Sequence, residues 1–423
     1  MTQHTHQVLI VGAGLSGLAC ARTLHDQGIG FKVLESSSRV GGRLGSTDID
    51  GVTCDLGFQV SMSNYDCLER LVPRTVLPRH GFIRGAVLVS ETKRVRVIDP
   101  KAEPLSGLRL LFSGLGGWRD LRAANRCRVL AAQARRGRQV EGSARTLIDS
   151  VGFSTRFFES FLRPFFAGVL LDDELDVPAG RFLSTLDRFA RGRAELPPGG
   201  MQRIADAMAE PIQDSISLNA PVSGVGDGWV DLEDGTRLTC DQVVLALPFD
   251  VVGRLTGRPV AESPEPWSAT AALHFTTKEV VPNDPIIYLN ASGHGHLNLA
   301  CVPSVVAPGY APDGTHSVIA SLRPCTGGKS LPVITERLIH EVRQEAGCLL
   351  GVESSNWVHI HTDLIPNALP RLSHPDLKTS ALKRVHATGD WNTWPSIESS
   401  VEGGVGLAEK LVRILSVGLG EEA

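Results

Sequence analysis

The fold of this chain is decided by the stretch Gln7-Val8-Leu9-Ile10-Val11-Gly12-Ala13-Gly14-Leu15-Ser16-Gly17. Its apolar half predicts a buried parallel strand, and its second half is a GxGxxG turn that opens a helix. Gly12 permits the tight turn, Gly14 lets backbone N–H groups approach a pyrophosphate, and Gly17 lets the helix pack closely. The positive end of the helix dipole would face the phosphates. The pattern therefore predicts a dinucleotide site.

An acid at the expected distance strengthens this prediction. The segment Phe31-Lys32-Val33-Leu34-Glu35 reads as a second strand, and Glu35 lies 21 residues beyond Gly14. In dinucleotide-binding domains, a carboxylate that accepts from ribose hydroxyls is expected about 20 residues after the glycine motif. An ordinary βα turn can also contain GxGxxG, but strand, turn, helix, strand and acid in this order are more specific.

A second glycine motif follows at once, in Ser36-Ser37-Ser38-Arg39-Val40-Gly41-Gly42-Arg43. The glycine pair permits close backbone approach to a ligand, and Arg43 offers a planar, charged fork for phosphate oxygens. A nicotinamide enzyme has no obvious need for this motif. GxGxxG, the acid and RxGGR together resemble the FAD-binding signature of the flavin amine oxidase superfamily, which includes monoamine and polyamine oxidases, protoporphyrinogen oxidases and carotenoid desaturases.

The resemblance returns near the C-terminus. Gly389-Asp390 ends a predicted buried strand, and Pro395-Ser396-Ile397-Glu398 precedes a helix. In the family, the matching Gly-Asp approaches the ribityl and phosphate region, and the helix begins beneath the flavin pyrimidine ring. Ser396 suits an N-cap, from which the helix would direct N–H groups toward negative charge on reduced flavin.

The resemblance implies an α/β fold, with a Rossmann-like FAD-binding domain of the glutathione-reductase type and an inserted α+β substrate domain. We expect residues 1–75, 200–248 and 380–423 to form the FAD-binding domain. Residues 76–199 and 249–379 would form the substrate-binding domain, partly helical. By the same resemblance, the residues expected to contact FAD are Gly12, Ala13, Gly14, Leu15, Ser16, Gly17, Glu35, Ser36, Ser37, Gly41, Gly42, Arg43, Gly57, Phe58, Val222, Ala246, Pro248, Gly389, Asp390, Ser396 and Ile397.

The reaction class follows from the cofactor, because flavin N5 takes a hydride while the protein orients the substrate C–H bond. The family passes its backbone over the isoalloxazine at Gly57, which makes Phe58 and Gln59 pocket candidates. Met201 follows a Pro/Gly loop that borders the active site in relatives, and Trp391 and Trp394 are candidates for an aromatic wall. Each has a structural alternative: a polar strand position for Gln59, a domain linker for Met201 and packing between domains for the tryptophans. No catalytic residue is assigned.

Features typical of amine oxidation are mostly absent. Many amine oxidases frame the substrate nitrogen with two aromatic rings and keep a lysine near flavin N5. Tyrosine occurs only at Tyr65, Tyr288 and Tyr310, Ser396 matches one cage position, and residues 268–275, the lysine's approximate counterpart, contain no lysine. We therefore expect an apolar or conjugated substrate, as for desaturase and protoporphyrinogen-oxidase relatives. An amine or amino-acid oxidase and a non-catalytic FAD-binding protein stay open as alternatives.

Composition fits a soluble enzyme of two or three units. The chain has 423 residues, 42% hydrophobic content and a net charge of −4, and nothing in it indicates a nucleic-acid partner. It contains no apolar run of about 18 residues, and its first strand begins too early to leave room for a signal peptide, so we expect no transmembrane segment and a cytoplasmic location. No cysteine follows Cys348, so we expect noncovalent FAD. No second GxGxxG follows a strand, which argues against a second nucleotide site for NAD(P)H. We therefore expect oxygen, a quinone or a protein as the electron acceptor.

Two further patterns have competing explanations. Residues 118–145 interleave eight arginines with Leu121, Val129 and alanines, which predicts a basic amphipathic helix pair that could contact an anionic membrane surface; a solvated helix face is the alternative. His294-Gly295-His296 and His359-Ile360-His361 each place two imidazoles on one strand face. Neither pair has an accompanying carboxylate or cysteine cluster, so we predict no metal site.

Overall fold

The computed structural model describes residues 3–99, 116–257, 266–325, 330–371 and 382–420. The strands are β1 (Gln3–Val11), β2 (Phe31–Leu34), β3 (Ser46–Ile49), β4 (Val52–Asp55), β5 (Ser61–Met62), β6 (His80–Gly81), β7 (Gly85–Val89), β8 (Arg94–Ile98), β9 (Ala194–Leu196), β10 (Ile216–Ser217), β11 (Val222–Gly226), β12 (Trp229–Leu232), β13 (Arg237–Leu245), β14 (Trp267–Thr277), β15 (Ile287–Asn290), β16 (Leu297–Cys301), β17 (His316–Leu322), β18 (Val358–Pro370) and β19 (Val385–Ala387). The α-helices are α1 (Leu15–Asp26), α2 (Asp66–Leu71), α3 (Trp118–Arg135), α4 (Ala144–Val151), α5 (Thr155–Phe157), α6 (Arg163–Leu170), α7 (Ala179–Arg191), α8 (Gln202–Ala209), α9 (Phe249–Leu255), α10 (Pro303–Val306), α11 (Glu336–Leu350) and α12 (Ile397–Gly420). A π-helical turn at Phe158–Leu162 joins α5 to α6, and 3-10 turns lie at Glu210–Ser215 and Asp390–Asn392.

The first large sheet has the strand order β10-β2-β1-β13-β12-β11, with β19 beside β13. Strand β1 is its centre and runs parallel to both β2 and β13. The run from Val8 to Val11 is buried on both faces, as expected for an apolar strand in a parallel sheet. The hairpin of β12 and β13 is antiparallel and pairs Trp229 with Thr239. All seven strands come from the three segments expected to form the FAD-binding domain.

The last helix packs against the first. A Cβ at Gly404 of α12 would overlap the Ser16 carbonyl oxygen of α1 and would lie 3.0 Å from the Ala19 side chain. A Cβ at Gly17 would overlap the Gly12 carbonyl oxygen and lie 3.2 Å from the Cβ of Ala246. The close packing predicted for Gly17 is therefore confirmed, and α12 completes the first domain by covering α1.

The second large sheet has the strand order β18-β14-β17-β16-β15-β7-β8. All of these strands come from the two insertions between the segments of the first domain. Its neighbouring strands are antiparallel except for β7 and β15, which are parallel. Helix α11 packs on this sheet through Leu338, Val342 and Ala346, and helices α3 to α7 form a separate apolar cluster. The predicted α/β fold with an α+β insertion is thus confirmed, while the exact domain boundaries stay a prediction.

The basic segment 118–145 contains helix α3, and α4 begins at its end, at Ala144, so residues 136–143 separate the two helices. Gly137 and Gly142 both adopt left-handed backbone conformations, with φ of +93° and +86°, which interrupts a right-handed helix. Among the described helices, none combines the length and the apolar character that crossing a membrane requires.

Candidate active site

The two glycine loops predicted to bind phosphate lie against each other. The Gly41 N–H donates to the Ala13 carbonyl at 2.8 Å, and a Cβ at Gly42 would lie 3.3 Å from the Gly14 Cα. Gly42 itself has a φ of +58°, which favours glycine. A Cβ at Gly14, in contrast, would meet no described heavy atom within 4 Å. The loops therefore form a cradle that is open at the residue predicted to face the pyrophosphate.

The Glu35 carboxylate closes one end of this cradle. One oxygen accepts from the Ala13 N–H at 2.7 Å, and the other accepts from the Ser37 N–H at 2.9 Å. Ser36 Oγ also donates to Glu35, at 3.3 Å. The oxygen beside Ala13 can accept a second hydrogen bond, as a ribose hydroxyl requires. The Ala220 N–H donates to the Glu35 carbonyl at 2.8 Å, and this brings Val222, at the start of β11, to the same end.

The other wall of the cradle is the end of β13. The Ala246 N–H donates to the Val11 carbonyl at 2.9 Å, and the Ala246 carbonyl would lie 2.6 Å from a Cβ at Gly12. Pro248 then precedes α9 as its N-cap residue. The structure thus brings Ala246 next to the GxGxxG loop, as the resemblance implied for the diphosphate region.

Arg43 is paired with a protein carboxylate. Its Nη2 atom lies 2.6 Å from Asp390 Oδ1, and its Nη1 atom donates to the Ala368 carbonyl at 3.1 Å. The guanidinium carbon lies 5.3 Å from the centroid of the Trp267 ring. This ion pair joins two predicted cofactor motifs that are 347 residues apart in sequence.

The start of the last helix agrees with the prediction. The Ser396 hydroxyl accepts from the Ser399 N–H at 3.0 Å, and α12 begins at Ile397. Ser396 therefore caps the helix, whose first N–H groups and positive dipole end suit an anionic ligand group.

Two buried polar atoms near these motifs have no hydrogen-bond partner among the described residues: Gln59 Oε1 and Thr388 Oγ1. Thr388 directly precedes the Gly389-Asp390 motif, and Gln59 Nε2 donates to the Arg43 carbonyl at 2.8 Å. Buried polar atoms are normally paired, so Gln59 Oε1 can accept from a bound ligand and Thr388 Oγ1 can accept or donate. With the open position at Gly14, they fit a flavin nucleotide that spans the cradle.

The pocket candidates separate into two groups. Met201 is fully buried in a core cluster, and Trp391 is buried with its indole N–H donated to the Leu247 carbonyl at 3.0 Å. Trp394 packs over Gly180, where a Cβ would lie 2.7 Å from its ring. Packing therefore accounts for these three residues; for the tryptophans this was the structural alternative, whereas the alternative for Met201 was a domain linker.

Phe58 and Gln59, in contrast, line a cavity together with Gly57, Asp55, His274 and Tyr310. Gly57 adopts a φ of +74°, which favours glycine at the position predicted to contact the flavin ring.

A buried carboxylate, Asp55, forms one side of the cavity. It accepts from the Ser46 hydroxyl at 2.5 Å, from the Met201 N–H at 2.8 Å and from the Tyr310 hydroxyl at 2.7 Å. Burial raises the pKa of Asp55, and these three hydrogen bonds partly oppose that shift. The same burial and the neighbouring carboxylate raise the pKa of Tyr310, so its hydroxyl remains a donor.

A second buried carboxylate, Asp363, contacts three groups that sequence reasoning did not connect. Its Oδ2 atom accepts from the Gly57 N–H at 3.1 Å and lies 2.9 Å from His274 Nε2. Its Oδ1 atom lies 3.3 Å from His361 Nε2. His274 falls within the segment considered for a lysine counterpart, and His361 belongs to one of the two histidine pairs. The sequence drew attention to both segments separately. Only the register between β14 and β18 places His274 opposite His361.

Comparisons with known proteins identify the family of the chain. The chain matches the family model "Flavin containing amine oxidoreductase" over residues 15–412. AofH of Mycobacterium tuberculosis, named a flavin-containing monoamine oxidase, is 28% identical over 260 residues, which cover 58% of this chain and 57% of AofH. Carotenoid phi-ring synthase of Streptomyces griseus is 28% identical over 343 residues, covering 69% of this chain and 63% of that protein. The chain thus matches less than two thirds of the length of these relatives.

Similarity in structure extends over nearly the whole chain. The solved structure of a putrescine oxidase superposes with a TM-score of 0.73 at 18% sequence identity, covering 98% of this chain and all of the other. At this identity the superposition supports the fold, while the family match rests on sequence. The chain therefore belongs to the flavin-containing amine oxidoreductase family.

Proposed function

We propose that the protein binds FAD noncovalently and oxidises an apolar or conjugated small molecule. When bound, FAD supplies the hydride acceptor, flavin N5, for a substrate C–H bond. The cradle of the two glycine loops would hold the pyrophosphate, Glu35 would accept from the ribose, and the N-terminus of α12 would face the pyrimidine ring. Noncovalent binding is supported by the lack of cysteine after Cys348.

The observation that carries the apolar substrate class is a row of phenylalanine rings in the substrate domain. Between residues 153 and 189 lie eight of the 14 phenylalanines: Phe153, Phe157, Phe158, Phe161, Phe165, Phe166, Phe182 and Phe189. Successive ring centroids from Phe153 to Phe157, Phe161, Phe165 and Phe189 are 4.9 to 5.9 Å apart. Phe58 of the cavity packs against the cluster that contains the buried members of this row.

The three tyrosines give no support to an aromatic cage for a substrate nitrogen. Tyr65 is buried in a core cluster, and Tyr288 lies in the second sheet with Arg94 above its ring. Tyr310 reaches the cavity, but its hydroxyl donates to Asp55. The phenylalanine row, without such a cage among the described residues, favours hydrophobic contact over recognition of an amine.

An amine or amino-acid oxidase is the second candidate, and one observation favours it. The buried carboxylates of Asp55 and Asp363 lie beside the cavity, where negative charge would attract an ammonium group. The names of AofH and of the putrescine oxidase point the same way. Against it, both carboxylates already accept hydrogen bonds from protein donors.

We propose oxygen, a quinone or a protein as the electron acceptor, with peripheral membrane contact as the route for a lipid-soluble substrate. The support is an exposed stripe on α3, where Trp118 is 71% exposed and Val129 50%, with exposed Arg122 between them. Sedimentation with anionic liposomes tests the contact. Equal, negligible binding of the wild type and a Trp118→Ser/Arg122→Ser variant would refute the proposed membrane contact.

Anaerobic bleaching of the flavin absorbance tests the substrate class. The purified, FAD-loaded protein is mixed separately with conjugated polyenes, porphyrinogens, monoamines, polyamines and amino acids. Bleaching by polyenes or porphyrinogens alone supports the proposal, and bleaching by amines or amino acids alone establishes the second candidate. A protein that purifies without flavin and takes up none refutes both.

A further inference from the structure

A buried aspartate connects the cavity to a solvent-facing histidine across two neighbouring strands. His274 lies on β14 opposite His361 on β18, and Asp363 lies two residues further along β18. The side chains of His274 and Asp363 are 6% and 7% exposed, whereas that of His361 is 37% exposed. The three groups therefore form a continuous polar path from the cavity beside Gly57 to solvent.

We propose that His274, Asp363 and His361 form a proton relay between solvent and the reacting end of the flavin site. The proposal rests on the proposed function, because a proton has to leave the site only if a substrate is oxidised there. It assigns His274 as the proton acceptor at the cavity, Asp363 as the carrier that passes the proton on and His361 as the group that exchanges with water.

The hydrogen bonds determine which ring nitrogen of His274 carries the proton. The Gly57 N–H can only donate, so Asp363 Oδ2 is an acceptor. His274 therefore carries its proton on Nε2 and donates it to Asp363 at 2.9 Å, which leaves Nδ1 free of a proton.

The balance of the reaction needs such a base. When a substrate C–H bond breaks, its hydrogen and two electrons go to the flavin, and a double bond forms to the adjacent carbon or nitrogen. That adjacent atom releases one proton, which His274 Nδ1 takes up. The Nε2 proton then passes through Asp363 to His361 Nε2, and a proton of His361 passes to water.

Negative charge faces His274 from two elements. The carboxylates of Asp55 and Asp363 both lie beside its imidazole. Burial lowers the pKa of the neighbouring His359. Tyr310 contributes a neutral hydroxyl that is already donated to Asp55.

Protonation of the reduced flavin tests the relay without a substrate. FAD-loaded protein is photoreduced anaerobically, the pH is lowered in a stopped-flow mixer, and the reduced-flavin absorbance is followed. We expect the rate to fall roughly 100-fold in His274→Gln and in His361→Gln, the lower end of general acid–base contributions. His359→Gln is the matched control, because His359 lies on the same strand and bonds to Thr362 instead of Asp363.

A second readout follows the tautomer. In histidine-labelled, FAD-loaded protein, long-range imidazole ¹H–¹⁵N spectra should show His274 as the Nε2–H form, and Asp363→Ala, which removes the acceptor, should remove that preference. His361→Gln alters a partly exposed side chain, so this arm does not depend on the folding of variants with buried changes. Wild-type rates in all variants, or a slow rate confined to His274→Gln, would overturn the relay. A protein that takes up no flavin would refute the proposed function itself, whereas a yellow protein with unchanged rates would refute the relay alone.

Discussion

Two glycines of the opening motif, three residues apart, should respond oppositely to substitution. Gly14 is the N-cap of α1 with a φ of −69°, and a Cβ there meets nothing within 4 Å. A Cβ at Gly17 would overlap the Gly12 carbonyl oxygen and lie 3.1 Å from its carbonyl carbon. We therefore expect Gly14→Thr to lose flavin while keeping its fold, and Gly17→Ala to lose stability.

The magnitudes follow from these surroundings. Threonine and glycine are about equally good N-caps, so Gly14→Thr should change the free energy of unfolding by less than about 0.5 kcal/mol. The added side chain takes the open volume of the cradle, and we expect flavin affinity to fall at least tenfold, or about 1.4 kcal/mol. Overpacking against other side chains costs about 1–3 kcal/mol, and Gly17→Ala meets rigid backbone, so we expect about 3 kcal/mol or more.

Thermal unfolding of the flavin-free proteins, together with flavin content after purification, separates the two effects. Flavin-free forms are needed because bound ligand raises the Tm by mass action. We expect the Tm of Gly17→Ala to fall by at least about 3 °C and that of Gly14→Thr to stay within about 1 °C of the wild type. Normal flavin content in Gly14→Thr, or equal losses of Tm in both variants, would refute the assignment of the open position to the pyrophosphate.

Three other predictions follow from buried carboxylates. Glu35→Ala should fold but purify with little flavin, because it removes the predicted ribose acceptor; full flavin content measured by released absorbance would contradict this. Tyr310→Phe removes one of three donors to Asp55 and should cost about 1.5–3 kcal/mol when Asp55 is ionised. Because burial raises the pKa of Asp55, this cost should shrink as the pH falls through that raised pKa, and urea midpoints that differ equally at neutral and acidic pH would argue against it. Burial also raises the pKa of Glu398, so the folded state binds its proton more tightly than the unfolded state and stability is lost as the pH rises through the raised pKa. As the pH rises from acidic to neutral, the wild type should therefore lose stability that Glu398→Gln does not lose. A constant difference between the urea midpoints of the two proteins across that range would count against the argument.

The sequence predicted the cofactor motifs because local pattern determines them. The strand that leads into Gly12, the tight packing at Gly17 and the cap at Ser396 each depend on residues within a few positions of one another, and the structure shows all three. The hairpin of β12 and β13 was likewise readable from its turn and its alternating residues.

The contacts around the cavity were not readable, because they depend on register between distant strands. Nothing local in the sequence indicates that His274 lies opposite His361, or that Asp363 accepts from the Gly57 N–H. The role of Trp391 could not be predicted for another reason. An aromatic residue beside a ligand motif can line the pocket or belong to the hydrophobic core, and Trp391 belongs to the core. The pairing of Arg43 with Asp390 was also missed, since the predicted role of each side chain concerned the ligand alone.

The contact between α1 and α12, and the position of β13 beside β1, determine when the cofactor site can form during synthesis. Strand β1 gains one parallel neighbour only after Leu245 has left the ribosome, and α1 is covered only after Gly404 has followed. Contacts between such distant residues close large loops and slow folding. The nascent chain thus exposes the apolar faces of its first strand and helix until nearly its whole length has been made. Binding of the proposed FAD would consequently be a late event, and chaperone dependence in the cell should be greatest before it.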